Sequence, residues 1–320
     1  MDINQKLDMF DAVDSNKRKT WLLLFLFSAF VFVVGYAAGF LLGSGTAGLM
    51  IAGFILTVQL IILFTKGEEL ILRMNNAKEL PKDDTNYIYN LVESVSLAAG
   101  MSKPPKVYII EDESLNAFAT GRKPEKSAIA LTRGLVNKLD REELEGVIAH
   151  EISHVVNYDI LISTTAIMLV GVISLLAGFL QRRLFWSSMR GGRRHSRQSQ
   201  GRGGGRSQAL ILLGSIVVII LAPLFAQILN FAISRKREYL ADANGAILTR
   251  NPKALAGALR KISGDTEVFR SANEATENLY ISKPLKKDSQ VSKKGRQNQK
   301  SNLFSTHPPI TDRIKRLESM

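Results

Sequence analysis

Residues 21–43 are apolar or small throughout and carry no charge, which constrains the environment of the chain before any other feature is weighed. A run of that length forms a helix able to cross a hydrocarbon core of roughly 30 Å at about 1.5 Å per residue. Residues 45–64 follow, with Gln59 as the strongest polar interruption, and the short uncharged link Ser44-Gly45-Thr46 makes the two runs a tight hairpin. The first run is longer than a signal-peptide core, and no small-residue cleavage pattern leads to a polar mature start, so an uncleaved anchor is expected. Residues 160–180 and 209–232 are also free of charge, raising the expected membrane or membrane-associated helices to as many as four.

Charge placement orients the hairpin. Lys17, Arg18 and Lys19 precede it, Lys66 and Arg73 follow it, and the link has no charge, so both ends and the chain from Lys66 to about Asn157 are assigned to the cytoplasm. Much of the net charge of +13 lies in residues 182–206 and 283–300. Both stretches read as solvated linkers. Residues 181–208, rich in Gly, Arg, Ser and Gln, should be disordered, and without an interleaved aromatic platform no nucleic-acid partner is expected. If both later apolar runs cross the bilayer, this arginine loop falls on the outer face against the positive-inside rule. The alternative is that the pair packs on the soluble domain or dips partly into lipid.

The chain therefore divides into a cytoplasmic segment 1–20, a hairpin 21–65, the first part of a folded domain 66–159, a hydrophobic helix 160–180, a loop 181–208, a fourth hydrophobic helix 209–232 and the second part of that domain 233–320. Residues 85–99 carry spaced apolar side chains and read as an amphipathic helix. The β-branched and aromatic run 107–110, with 117–119 and 128–132 around a turn at 121–126, predicts a small sheet. Asp140 with Glu143 resembles a capping box and starts a helix just before Glu142. A helix over 235–250 ends at Asn251-Pro252, where another begins and runs to residue 262. The fold class is mainly α with a small β-sheet.

With no cysteine in the chain, a transition-metal site must be built from His, Asp and Glu. His150-Glu151-Ile152-Ser153-His154 matches H-E-x-x-H on the predicted helix. Residues four apart share a helical face, so both imidazoles can grip one ion, while Glu151 lies about 100° around the helix and can reach an attacking water. A catalytic zinc needs a third protein ligand. The extended metzincin pattern is excluded because Asn157 and Ile160 stand where it needs glycine and histidine. His195 and His307 are poorly placed for a rigid ligand, so a carboxylate is expected. Glu238 and Asp242, one turn apart on the later helix, could supply one ligand and one hydrogen-bond acceptor for a ligand imidazole.

These residues, with Arg237-Glu238-Tyr239-Leu240-Ala241-Asp242, Asn116-Ala117-Phe118-Ala119-Thr120-Gly121 and His307-Pro308-Pro309, resemble the signature blocks of the HtpX family. These are membrane zinc proteases of the gluzincin type, related to the Ste24 prenyl-protein proteases. The resemblance implies one zinc per chain on His150, His154 and Glu238, with Glu151 as base and acid and Asp242 supporting a ligand. It further implies that Asn116 and Ala117 lie on an edge strand that pairs with substrate backbone. His307 and Arg313 look like the family's candidates for stabilising the tetrahedral oxyanion. The competing reading is that Pro308-Pro309 starts a terminal helix with Asp312 and Arg313 on its solvent face.

The implied activity is hydrolysis of misfolded or damaged membrane proteins at a bacterial cytoplasmic membrane, under stress and in the service of quality control. The implied partners are unfolded or membrane polypeptides and the lipid bilayer, and a homo-oligomer is compatible with the chain. Two alternatives stay open: a processing protease of prenylated proteins, and a non-catalytic membrane scaffold or channel that keeps zinc for structure. A structural zinc is normally closed by four protein ligands, and three good candidates are visible, which favours catalysis.

Overall fold

The computed structural model describes residues 3–81, 86–171, 173, 235–267, 269, 276, 279–282 and 308–320. Residues 174–180, the arginine loop 181–208, the fourth apolar run 209–232, the basic stretch 283–300, His195 and His307 lie outside the described residues.

Two compact units emerge. One comprises Trp21–Thr65 and Ala166–Leu229; the other comprises Met1–Thr20, Lys66–Thr165 and Asn230–Met320.

In the first unit, helix α1 (Ile3–Leu42) turns back through Gly43 and Ser44 into helix α2 (Gly45–Met74). Gly43 takes φ +106°, a left-handed conformation that glycine adopts without a Cβ clash, and the Ser44 hydroxyl accepts the Ala47 N–H at 3.2 Å. The helices pack backbone to backbone at Gly48, where an added Cβ would lie 2.1 Å from the Gly35 carbonyl oxygen. Large apolar side chains face outward, including Trp21, Phe25, Phe40 and Phe54. Such a surface is unfavourable in water and suited to lipid. Among the described residues two helical stretches, Asp11–Ala37 and Gly45–Met74, are long and apolar enough to cross a membrane.

The second unit begins with the polar end of α1 and adds strand β1 (Lys78–Glu79), helix α3 (Asn86–Ala98), strands β2 (Lys106–Ile110), β3 (Ala117–Lys123) and β4 (Lys126–Thr132), and helices α4 (Arg133–Lys138) and α5 (Arg141–Val156). Helix α6 (Asp159–Gly171) leaves it, and α7 (Arg235–Thr249), α8 (Pro252–Gly264) and α9 (Ile310–Glu318) complete it. The sheet order is β1-β2-β4-β3, with β2 and β4 parallel and the other pairs antiparallel. Central β4 buries Ala128 to Leu131 completely. Strand β3 is one edge and β1 the other. Strand β3 runs into the expected turn 121–126 as far as Lys123, because Gly121 (φ +142°) takes up a register shift inside the strand.

Helix α5 starts where the capping box requires: the Asp140 side chain accepts the Glu143 N–H, and the Glu143 carboxylate accepts the Asp140 N–H. It packs in one core with α3, the sheet and α8 through Leu91, Val95, Ile129, Leu131, Leu144, Ile148, Leu255 and Leu259. Helix α7 stops at Arg250, and Asn251 caps α8 with Pro252 in its first turn. Helix α9 does form after Pro309, but Arg313 is fully buried rather than on its solvent face, while Asp312 is exposed.

Candidate metal centre

The capping box fixes the register of α5, which places His150 and His154 on one face with Glu151 buried beside them. Helix α7 brings the carboxylates. It lies against α5 at Gly245, where a Cβ would stand 3.2 Å from the His150 backbone nitrogen, so a larger residue would hold the helices apart.

The imidazole Nε2 atoms of His150 and His154 face each other at 3.2 Å. Glu238 completes the group, its Oε1 3.6 Å from His154 Nε2 and its Oε2 3.8 Å from His150 Nε2. One donor atom from each of the three residues lies within 4.8 Å of the others. Tetrahedral bonds of about 2.0–2.1 Å to zinc require neighbouring donors to be roughly 3.3–3.4 Å apart, so the set fits such an ion with small adjustments. The nitrogen and carboxylate chemistry fits too.

Each histidine leans on its own carboxylate. Asp242 Oδ1 is 3.0 Å from His150 Nδ1, and Asp159 Oδ2 is 2.8 Å from His154 Nδ1. A carboxylate accepts, so the protons sit on Nδ1 and the Nε2 atoms are left to the centre. Both carboxylates are anchored in turn. Arg313 Nε and Nη2 donate to Asp242 at 2.8 and 2.7 Å, and Arg313 Nη1 lies 3.3 Å from Glu238 Oε2. Asn16 Nδ2 donates to Asp159 Oδ1 at 2.7 Å, and Arg237 Nε lies 3.3 Å from the same oxygen.

These contacts tune proton affinities. Burial pushes Glu151 up to about 7; the charge of Glu238 adds to this, against the opposing pull of His154, the Ala119 N–H and Arg313. A carboxylate near neutrality is suited to taking and returning a proton. Burial holds His150 below its ordinary value, favouring the neutral ligand form. For His154 burial acts in the same direction, but the Asp159 hydrogen bond and the charge of Glu238 outweigh it and raise the ring to about 9. Burial would raise Asp242, yet Arg313 beside it brings the carboxyl down to about 2.

Of the residues singled out in the sequence, His150, Glu151, His154, Glu238, Asp242 and Arg313 come together. Asn116 and Ala117 stand at the start of edge strand β3, but this chain's own backbone already engages them: Ile281 N–H donates to the Ala117 carbonyl at 3.1 Å, and Asn116 exchanges hydrogen bonds with Ser282 at 2.8 and 3.3 Å. The neighbouring Tyr280 is fully buried, packs edge-on against Phe118 and donates to Asn75 Oδ1 at 2.9 Å. Sequence reasoning missed Asp159, Asn16 and Arg237. The available signal was Asp159 itself, a carboxylate standing directly before the charge-free run 160–180.

Residues 82–320 match the family model for peptidase family M48. A protein described as a protease HtpX homolog from Listeria monocytogenes serotype 4a is 47% identical over 98% of this chain and 100% of its own length. One of the same description from Dictyoglomus thermophilum is 41% identical over 97% of this chain and 94% of its own. A crystal structure of S. mikatae Ste24p is similar with a TM-score of 0.44 and 18% identity, over 97% of this chain and 67% of that one.

Proposed function

This chain belongs to peptidase family M48, and from that premise we propose that it is a zinc-dependent endopeptidase of a bacterial cytoplasmic membrane, cutting misfolded or damaged membrane proteins on the cytoplasmic side. That it is a membrane metallopeptidase follows from the family and from its two helices of spanning length. The finer reading rests above all on the convergence of His150, His154 and Glu238 with the buried Glu151 beside them.

His150, His154 and Glu238 would hold the metal, one ion per chain. A zinc ion held there would supply a Lewis acid for the scissile carbonyl and would lower the pKa of water toward about 7. Glu151 takes the proton of the attacking water and passes it to the leaving amine. Asp242 and Asp159 keep both imidazoles aimed at the centre throughout. The guanidinium of Arg313 is committed to Asp242 and Glu238, so it stabilises the developing oxyanion by its fixed charge rather than as a free donor. His307 is assigned to the same task through the family resemblance.

An extended substrate adds to the edge of β3 at Asn116 and Ala117, which requires Ile281 and Ser282 to yield their hydrogen bonds there. Lys17, Arg18 and Lys19 before the hairpin, and Lys66 and Arg73 after it, favour a cytoplasmic site. The seven-segment division of the chain is proposed with it, including the hydrophobic helices 160–180 and 209–232 as further membrane elements.

The test uses the full chain purified in detergent with an unfolded protein as substrate. Cleavage should stop with a chelator and return with zinc. Proteolysis that a chelator leaves unchanged would exclude the metal mechanism.

A further inference from the structure

The amino-terminal segment of α1 reads in the sequence as a polar lead into the first apolar run. In the structure its residues Asn16 and Lys17 brace the corner that carries Asp159, the partner of His154. Asn16 is 2% exposed, and its amide is used on every side. Its Nδ2 donates to the Asn157 carbonyl at 2.9 Å and to Asp159 Oδ1 at 2.7 Å, while its Oδ1 accepts from Arg237 Nη1 at 3.2 Å. The next residue, Lys17, sets its ammonium 4.3 Å over the ring of Tyr158.

These contacts gather on the three residues where the chain turns from α5 into α6. Tyr158 there holds φ +58°, a costly conformation for a residue with a side chain, so the corner needs support from outside itself. Asp159 leaves the corner with one oxygen on Asn16 and Arg237 and the other on His154 Nδ1. A carboxylate held at one oxygen cannot swing at the other, so the direction of the His154 ring depends on what holds Asp159.

The geometry points to Asn16 as a positioning residue for the metal centre: it fixes Asp159, and Asp159 fixes His154 with Nε2 toward the ligand set. Asn16 and Asp159 are 143 positions apart in the chain. The inference rests on the reading of His150, His154 and Glu238 as metal ligands. Partners that orient a ligand imidazole typically govern metal affinity by about 10–100-fold. Asn16 stands one contact further out, so its removal should cost less, on the order of tenfold.

The experiment measures zinc affinity of the full chain in detergent by competition with a chromophoric zinc chelator, for wild type, Asn16→Ala, Asp159→Asn and the double variant. Thermal unfolding of the chelator-treated proteins runs in parallel. Asn16→Ala should weaken zinc binding in the wild-type background and have no further effect once Asp159 is Asn, since the path to His154 is already broken. Equal zinc affinity of Asn16→Ala and wild type would overturn the inference, and so would an equal loss in both backgrounds, which marks a general effect on folding. The isosteric Asn16→Asp fills the same space but lacks the two N–H donors, and it should also lose zinc affinity. If neither Asn16 variant folds without metal, Asn16 is a structural residue and the inference fails. Wild type that takes up no zinc would instead refute the metal reading itself.

Discussion

Arg313 on α9 grips Asp242 on α7 through two parallel hydrogen bonds, 2.8 Å from Nε and 2.7 Å from Nη2, in a fully buried pairing behind His150. The planar fork matches the carboxylate in a way an ammonium cannot. Removing one partner of a buried pair leaves the other charge uncompensated and typically costs about 3–5 kcal/mol. Arg313→Ala should therefore lower the thermal midpoint sharply, and Arg313→Lys should recover only part of the loss. A Lys variant as stable as wild type would show that charge alone suffices.

Glu151 is the proton carrier in the proposed reaction and is not one of the three ligands. Glu151→Gln should keep zinc while peptide cleavage falls by about 10²–10⁴-fold, the usual contribution of a positioned acid-base group. Zinc content by elemental analysis and turnover on one preparation decide this. Undiminished cleavage would remove Glu151 from the mechanism.

The metal-free protein should lose stability as pH rises from 7 to 9. His154 is raised in the folded chain from 6.5 to about 9, so its contribution is complete below 6.5 and lost as pH climbs through about 9. Glu151, raised from 4.5 to about 7, adds a cost that grows between those two values and is nearly complete above pH 7, leaving the upper window to His154. Zinc must displace the extra proton of His154, so its affinity should rise over the same interval with proton release. Thermal melts of chelator-treated protein from pH 7 to 9 check the sign, and Asp159→Asn should flatten the slope. A slope already flat in wild type would contradict the assignment.

Competition between substrate and the chain's own backbone at β3 predicts an unusual gain. Ser282→Pro deletes the N–H that Asn116 accepts, loosening Ile281 and Ser282 from the strand edge. KM for an unfolded substrate should fall several-fold with kcat little changed. An unchanged or higher KM would mean that substrate does not pair at Asn116 and Ala117.

The sequence made the local devices legible. The capping box at Asp140 and Glu143, the Asn251-Pro252 boundary and the two apolar runs depend on neighbours in the chain, and each appears near its expected place. So does the His-Glu-His spacing, because helical period alone puts both rings on one face. The choice between Glu238 and Asp242 was open by spacing, and packing distinguishes them: Glu238 is directed at both Nε2 atoms and Asp242 at His150 Nδ1. Asp159, Asn16 and Arg237 were not legible because their meaning arises only when segments 143 and 221 positions apart meet. The competing reading, which put Arg313 on the solvent face of its helix, fails for a related reason. Arginine on a short terminal helix ordinarily faces water, and only the buried carboxylates of α7 reverse that preference.

Helix α1 spans Ile3–Leu42, and Asn16 and Lys17 lie in its polar part, ahead of the apolar run that begins at Trp21. An engineer who trims the hairpin to obtain a soluble enzyme, starting the chain at Lys66, would also discard the residues that hold Asp159 and Tyr158 from outside. A water-soluble version must therefore supply Asn16 and Lys17 again to keep the corner at Tyr158 braced.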